Sequence, residues 1–173
     1  CHARLYERRP DTSSLPFSAF FSPSTVLVPA PKSALHREGS LWVPHHIASA
    51  LIEKGLGGRV ATLLLRATPI PKVATSIASE RPSALRHFET MAVQRDLGPV
   101  RNILIVDDIV TRGATLLGAA NRLRESYPGV PIRAFAAMRT VSTPSMFRAL
   151  NEPLLWTITL QPDGSTLRRP ETP

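Results

Sequence analysis

The chain has 173 residues, 43% hydrophobic and 20% charged, which is enough apolar material for one core of ordinary size and fits a single domain. That composition argues against collagen-like, coiled-coil and wholly disordered classes. The balance of 21 Lys and Arg against 13 Asp and Glu leaves a net charge of +8, a surface that attracts phosphorylated partners.

Only Lys32, Lys54 and Lys72 are lysines, so the excess is almost all arginine, whose planar fork suits phosphate and carboxylate. A nucleic-acid footprint usually shows a basic stripe with interleaved aromatics, whereas here the aromatics are 6% and the arginines dispersed. A GC-rich genome yields the same arginine excess with no functional demand. No apolar run approaches a membrane span, and the opening Cys1-His2-Ala3-Arg4 has no apolar signal segment, so the expectation is a cytoplasmic protein with no membrane partner. Cys1 is the only cysteine, which rules out a disulfide framework or a cysteine zinc cluster within this chain. An opening Cys rather than Met is what a chain that has lost an upstream segment would show.

Residues 1–24 mix charges and prolines with Phe17, Phe20 and Phe21, and read as a helix or turn segment packing on the core or on a hood. Thr25 to Val28 reads as a buried strand stopped by Pro29-Ala30-Pro31. Val43 to Lys54 has Pro44 in its first turn, Ile47, Ala50, Leu51 and Lys54 at helical spacing, and Gly55 as a stop. Val60 to Leu65 reads as a second strand and Ile103 to Val106 as a third, with residues 66 to 99 between them as a long loop of weak periodicity. A helix over Thr115 to Tyr127 ends at Pro128-Gly129, and a fourth strand runs from Ile132 to Met138. This order implies parallel strands with helical crossovers, an α/β core over residues 25–140. In residues 141–173 only Trp156 to Leu160 reads as a regular element, and the Pro-rich end reads as a fraying tail.

The chemistry concentrates in Ile103-Leu104-Ile105-Val106-Asp107-Asp108-Ile109-Val110-Thr111-Arg112-Gly113-Ala114-Thr115. Four aliphatic residues deliver two carboxylates to the carboxyl edge of the sheet, where open α/β sheets bind ligands. The Thr, Gly and Thr loop then runs into a helix, whose free N–H groups and positive dipole end make a phosphate cradle. Carboxylates beside a phosphate repel it unless they bind hydroxyl groups further along the same ligand. A sugar phosphate meets both demands.

All thirteen positions of this stretch resemble the 5-phosphoribosyl-1-pyrophosphate (PRPP) binding motif of the type I phosphoribosyltransferases. The resemblance implies that Asp107 and Asp108 contact the ribose 2′- and 3′-hydroxyls. It further implies that Thr111, Arg112, Gly113, Ala114 and Thr115 bind the 5′-phosphate. It implies a single-domain parallel-sheet core flanked by helices, with a small variable hood from the termini. Ala30, Pro31 and Lys32 occupy the place of the family's pyrophosphate loop. Arg37-Glu38-Gly39 is similar to the Arg-Gly element of ComF-type members, although Gly39 is followed by Ser40 and Leu41 rather than Phe-Asn. Lys32 and Arg37 would neutralise pyrophosphate; the plainer reading of each is a solvated loop cation. Residues 66–88 match the family's flexible catalytic loop in position, with Arg81 as its cation and residues 75 to 81 near the tip of a lid.

By this resemblance the chain is a Mg²⁺-dependent phosphoribosyltransferase that releases pyrophosphate to a nitrogen acceptor, closest to the ComF-type and amidophosphoribosyltransferase-like members. The metal would be held mainly by substrate and water. Thr111 stands where oxopurine salvage members place a proton-accepting Asp, which disfavours that acceptor class. The alternative is a binding protein that holds PRPP or a nucleoside monophosphate without turnover, an accessory in DNA uptake or nucleic-acid defence with a nucleic-acid or protein partner; a homodimer is compatible with either. Cys1 evokes the nucleophile of glutaminase domains, yet a short leader cannot form one. His45-His46 reads as solvated or packed rather than metal-binding. Trp42 and Trp156 read as packing residues before they read as stacking platforms for a base.

Overall fold

Strand β1 (Thr25–Pro29) is buried along its whole length, which is what a strand covered on both faces requires of an uninterrupted apolar run. The structure, a computed structural model, describes residues 17–70, 81–96, 98–141, 149 and 153–171. After β1 the chain crosses through α1 (Val43–Glu53) to β2 (Arg59–Val60). Next come β3 (Leu64–Arg66), α2 (Ala84–Glu89) and β4 (Met91–Val93), and then β5 (Asn102–Val110), α3 (Ala114–Ser126) and β6 (Ile132–Arg139). The chain closes with β7 (Trp156–Leu160) and β8 (Thr166–Pro170). The fold is mixed α/β, built on a four-stranded parallel sheet in the order β2-β1-β5-β6.

The period of two along β1 and β5 divides the core. Val26, Val28, Ile103 and Ile105 face Leu116, Ala119 and Leu123 of α3, while Leu27, Leu104 and Val106 face Ala48 of α1. Helices therefore cover both faces, and Ile103 to Val106 can be aliphatic at every position because every position is buried. Phe17 and Phe21 close the α1 side edge-on against Phe135 of β6, at centroid distances of 6.1 and 5.9 Å. No helix among the described residues is long and apolar enough to cross a membrane.

Three segments depart from the sequence expectations. The run from Val60 to Leu65 is two strands in two sheets, because β2 ends at Val60 and β3 turns to pair antiparallel with β4, Leu64 opposite Val93. Leu63 and Leu64 are both buried, so an almost unbroken apolar pattern conceals the break. Residues 66 to 99 are not one long loop. They contain α2, whose Ser83 N-cap accepts from the Arg86 N–H at 3.1 Å, and β4. Six helical residues are too few to leave a periodic signal. Residues 71–80, which include most of the expected lid tip, lie outside the described residues, whereas Arg66 and His87, at the ends of the expected lid, are buried.

The expected fraying tail is strand β8, paired antiparallel with β7 from Trp156 opposite Pro170 to Leu160 opposite Thr166. Pro162-Asp163-Gly164 makes the turn, with Gly164 at φ +78 and the Asp163 carboxylate accepting from the Ser165 N–H at 2.9 Å. Arg168 fixes the hairpin to the body. Its guanidinium lies 4.9 Å from the centroid of Trp156 and donates to the carbonyls of Thr140 and Val110 at 2.9 and 3.3 Å.

Candidate functional site

Strand β5 runs past its buried aliphatic stretch and stays in register with β6, Asp107 opposite Ala136 and Ile109 opposite Met138. Asp107 is in phase with Ile103 and Ile105, on the side of α3. Burial, then hydrogen bonding to and repulsion from the adjacent Asp108, push the Asp107 carboxyl up to about 7. Its Oδ1 accepts from the Asp108 N–H at 3.0 Å, and the Asp108 Oδ1 accepts from the Ile109 N–H at 2.8 Å. The pair is thus a part-buried carboxyl beside a second carboxylate, an arrangement that favours hydroxyl donors or a cation at its mouth.

Thr111 and Arg112 lead to Gly113, whose φ of +87 turns the chain into α3. A side chain at Gly113 would suffer twice, because the conformation is left-handed and a Cβ would lie 2.6 Å from the Ile158 Cδ1. No side chain caps this end of the helix, so the first-turn N–H groups have no intrahelical partner and keep their pull on an anion.

A cleft of about 270 Å³ opens at this point. Asp107 and the loop Thr111-Arg112-Gly113-Ala114-Thr115 form one wall, Arg81, Ser83 and His87 a second, and the β7–β8 turn with Asp163, Ser165 and Thr166 a third. Among the described residues the buried Thr166 hydroxyl finds no hydrogen-bond partner.

The sequence-derived candidates divide accordingly. Asp107, Thr111, Arg112, Gly113, Ala114, Thr115 and Arg81 line the cleft, and Asp108 adjoins it through Asp107. Ala30, Pro31, Lys32 and Arg37 do not line it. The Lys32 ammonium donates to Ser40 Oγ at 2.6 Å and to the Leu41 carbonyl at 2.8 Å, tying down the loop that follows β1. Arg37 is exposed in that same loop. Trp42 is a packing residue, 8% exposed, with its indole N–H given to the Ala30 carbonyl at 2.8 Å.

Sequence reasoning missed the residues behind the second wall. Arg66 is buried, and among the described residues no carboxylate pairs with it. Its Nε donates to the Lys32 carbonyl at 2.9 Å and one terminal nitrogen to Thr90 Oγ1 at 2.7 Å. The other terminal nitrogen lies 3.5 Å from His87 Nδ1, and His87 Nε2 lies 3.3 Å from Thr115 Oγ1. Burial lowers Arg66 to about 10; burial and then the Arg66 charge lower His87 to about 4. The histidine is therefore neutral at physiological pH. Nothing in the sequence flags Arg66 or His87, because each stands in a polar segment that reads as solvated. The Pro162-Asp163-Gly164 turn signal could have pointed to the third wall.

Among the described residues no group of three or more His, Cys, Asp or Glu is placed to hold a metal ion. The two adjacent carboxylates are hard oxygen donors, and a divalent cation shared with a ligand would offset the burial and repulsion that raise Asp107. Comparison of the chain with protein-family models, curated proteins and solved structures finds no match.

Proposed function

We propose that the cleft binds PRPP and transfers its phosphoribosyl group to a nitrogen acceptor, in the manner of the type I phosphoribosyltransferases that the stretch Ile103 to Thr115 resembles. One observation carries the reading: Asp107, near the end of a parallel strand and with Asp108 beside it, shares a cleft with an uncapped helix N-terminus and its Gly turn. The 5′-phosphate takes the N–H groups and hydroxyls of the 111–115 loop. The ribose 2′- and 3′-hydroxyls donate to Asp107 and Asp108, which fixes the ring against the sheet edge.

In the reaction the bond from C1 of the ribose to pyrophosphate breaks, with its electron pair leaving on the pyrophosphate. The acceptor nitrogen forms the new bond to C1 and passes its proton to the departing pyrophosphate or to water. Arg81 at the cleft wall supplies positive charge toward the leaving group, and the β7–β8 turn restricts water at the reacting carbon. Magnesium, if bound with the ligand, would be faced by the oxygens of Asp107 and Asp108 and would supply positive charge to offset that of the leaving group.

A second reading, a PRPP or nucleotide binder without turnover, is favoured by Lys32, whose ammonium is engaged by Ser40 and Leu41 rather than free for a leaving group. Pyrophosphate release from PRPP and Mg²⁺, measured with ammonia and with a panel of nucleobases, separates the two. Acceptor-dependent release supports the transferase; release with none of these acceptors, while PRPP still binds, leaves the binder.

A further inference from the structure

The chain Lys32 carbonyl, Arg66, His87, Thr115 crosses the interior from the loop after β1 to the first turn of α3, and its four residues belong to four separate parts of the sequence. Arginine has N–H donors and no acceptor. The nitrogen of His87 that faces Arg66 must then be the bare one, since an Nδ1–H would set donor against donor at 3.5 Å in a site with His87 only 2% exposed. With Nδ1 bare, a neutral imidazole carries its proton on Nε2, and Nε2 faces Thr115 Oγ1 at 3.3 Å. Thr115 Oγ1 accepts a hydrogen bond from that N–H. Its own hydroxyl hydrogen has no acceptor among the described residues, and Thr115 lines the cleft.

From this we infer that His87 is a positioning residue, which, oriented by Arg66, turns the Thr115 hydroxyl into a fixed donor toward an anionic oxygen of a ligand in the cleft. The inference rests on the reading of the 111–115 loop as a phosphate cradle. Alone, a helix-start threonine is free to spend its hydroxyl on a backbone carbonyl; the histidine donor removes the reason to rotate away from the ligand. Arg66 is itself immobilised, because Thr90 Oγ1 accepts from it at 2.7 Å and donates on to the Arg86 carbonyl at 2.6 Å. The relay couples α2 to the cradle through Thr115.

Two measurements test it. Nitrogen NMR of the His87 ring in the folded protein at neutral pH should show Nε2 protonated and Nδ1 bare, and the opposite tautomer overturns the relay. PRPP affinity in the presence of Mg²⁺ should fall about tenfold in Thr115→Val and in His87→Leu, the scale of one hydrogen bond to a charged group. His87→Gln, whose amide can still donate to Thr115, should recover most of the loss. His87→Leu added to Thr115→Val should cost no further affinity, because the relay has lost its endpoint. A purely structural His87 predicts the same loss in both backgrounds and no rescue by glutamine, and either result overturns the proposal while leaving PRPP binding intact. If His87→Leu fails to fold, His87→Asn, too short to reach Thr115, takes its place in the cycle. A wild-type protein that does not bind PRPP overturns the transferase reading and the relay together.

Discussion

Gly118 of α3 lies against His87 of α2 so closely that a Cβ on the glycine would sit 2.6 Å from the His87 Cβ and 2.6 Å from the Ala84 carbonyl oxygen. The helix that carries the proposed phosphate cradle and the helix that carries the buried histidine are thus in contact through a residue with no side chain. Gly118→Ala has no flexible neighbour to displace, since one of the obstructing atoms is backbone. It should cost about 1–3 kcal/mol, the scale of overpacking, although alanine is the better helix former. Denaturant unfolding checks this, and a variant as stable as the wild type would mean that the α2–α3 contact is looser than described.

Asp107 makes stability depend on pH in a direction unusual for a carboxylate. Its folded value of about 7 lies above the unfolded value of 3.8, so the native state holds this proton more tightly than the unfolded chain does. Its contribution is most favourable below 3.8 and is lost as pH rises through about 7. Asp107→Asn, which keeps the shape and removes the charge, should therefore raise the melting temperature at pH 8 and change it little at pH 4. Equal effects at both pH values would show that the burial of the Asp107 charge, with the repulsion from Asp108, does not set this dependence.

His87 acts in the opposite sense. Its folded value of about 4 lies below the ordinary 6.5, so the stability it contributes is present above 6.5 and is lost as pH falls through about 4. His87→Gln should flatten this acid limb while Asp107→Asn flattens the limb toward neutral pH, and melting curves of the two single variants from pH 4 to 8 resolve them. An acid limb unchanged in His87→Gln would assign it to other groups.

Arg168 should be worth more than its place near the chain end suggests. Truncation to alanine removes two hydrogen bonds to carbonyls and the stack on Trp156, and should weaken the attachment of the hairpin to the body by about 1–3 kcal/mol. Amide exchange provides the readout: faster exchange confined to β7 and β8 is expected, and unchanged protection would show that the hairpin is held by other contacts.

The legible parts of this protein were those written in contiguous residues. Ile103 to Thr115 carries a buried strand, a carboxylate pair and a helix start in one run, and the structure gathers Asp107 and the loop after it at one cleft. The helix over Val43–Glu53 was legible from Pro44 and Gly55 as punctuation. What escaped was set by tertiary context. The split of Val60 to Leu65 between two sheets leaves only Thr62 as a trace in an otherwise apolar run, and α2 is too short for periodicity. Arg66 and His87 were hidden because burial of a polar side chain depends on partners distant in sequence, here Lys32, Thr90 and Thr115. Lys32 shows the converse: position after the first strand suggested a ligand contact, and local hydrogen bonds to Ser40 and Leu41 take its ammonium instead.

The central claim is that the carboxylate pair and the loop beside it hold a sugar phosphate, and calorimetric titration of the folded protein with PRPP and Mg²⁺ at pH 8 tests it most directly. The account predicts saturable binding to the wild type, weakened by about 1–3 kcal/mol in Asp107→Asn and again in Asp108→Asn, the scale of a charge-assisted hydrogen bond. Both variants should melt no lower than the wild type at that pH. Wild-type protein that shows no saturable heat with PRPP, or variants that lose stability while binding PRPP as the wild type does, would contradict it.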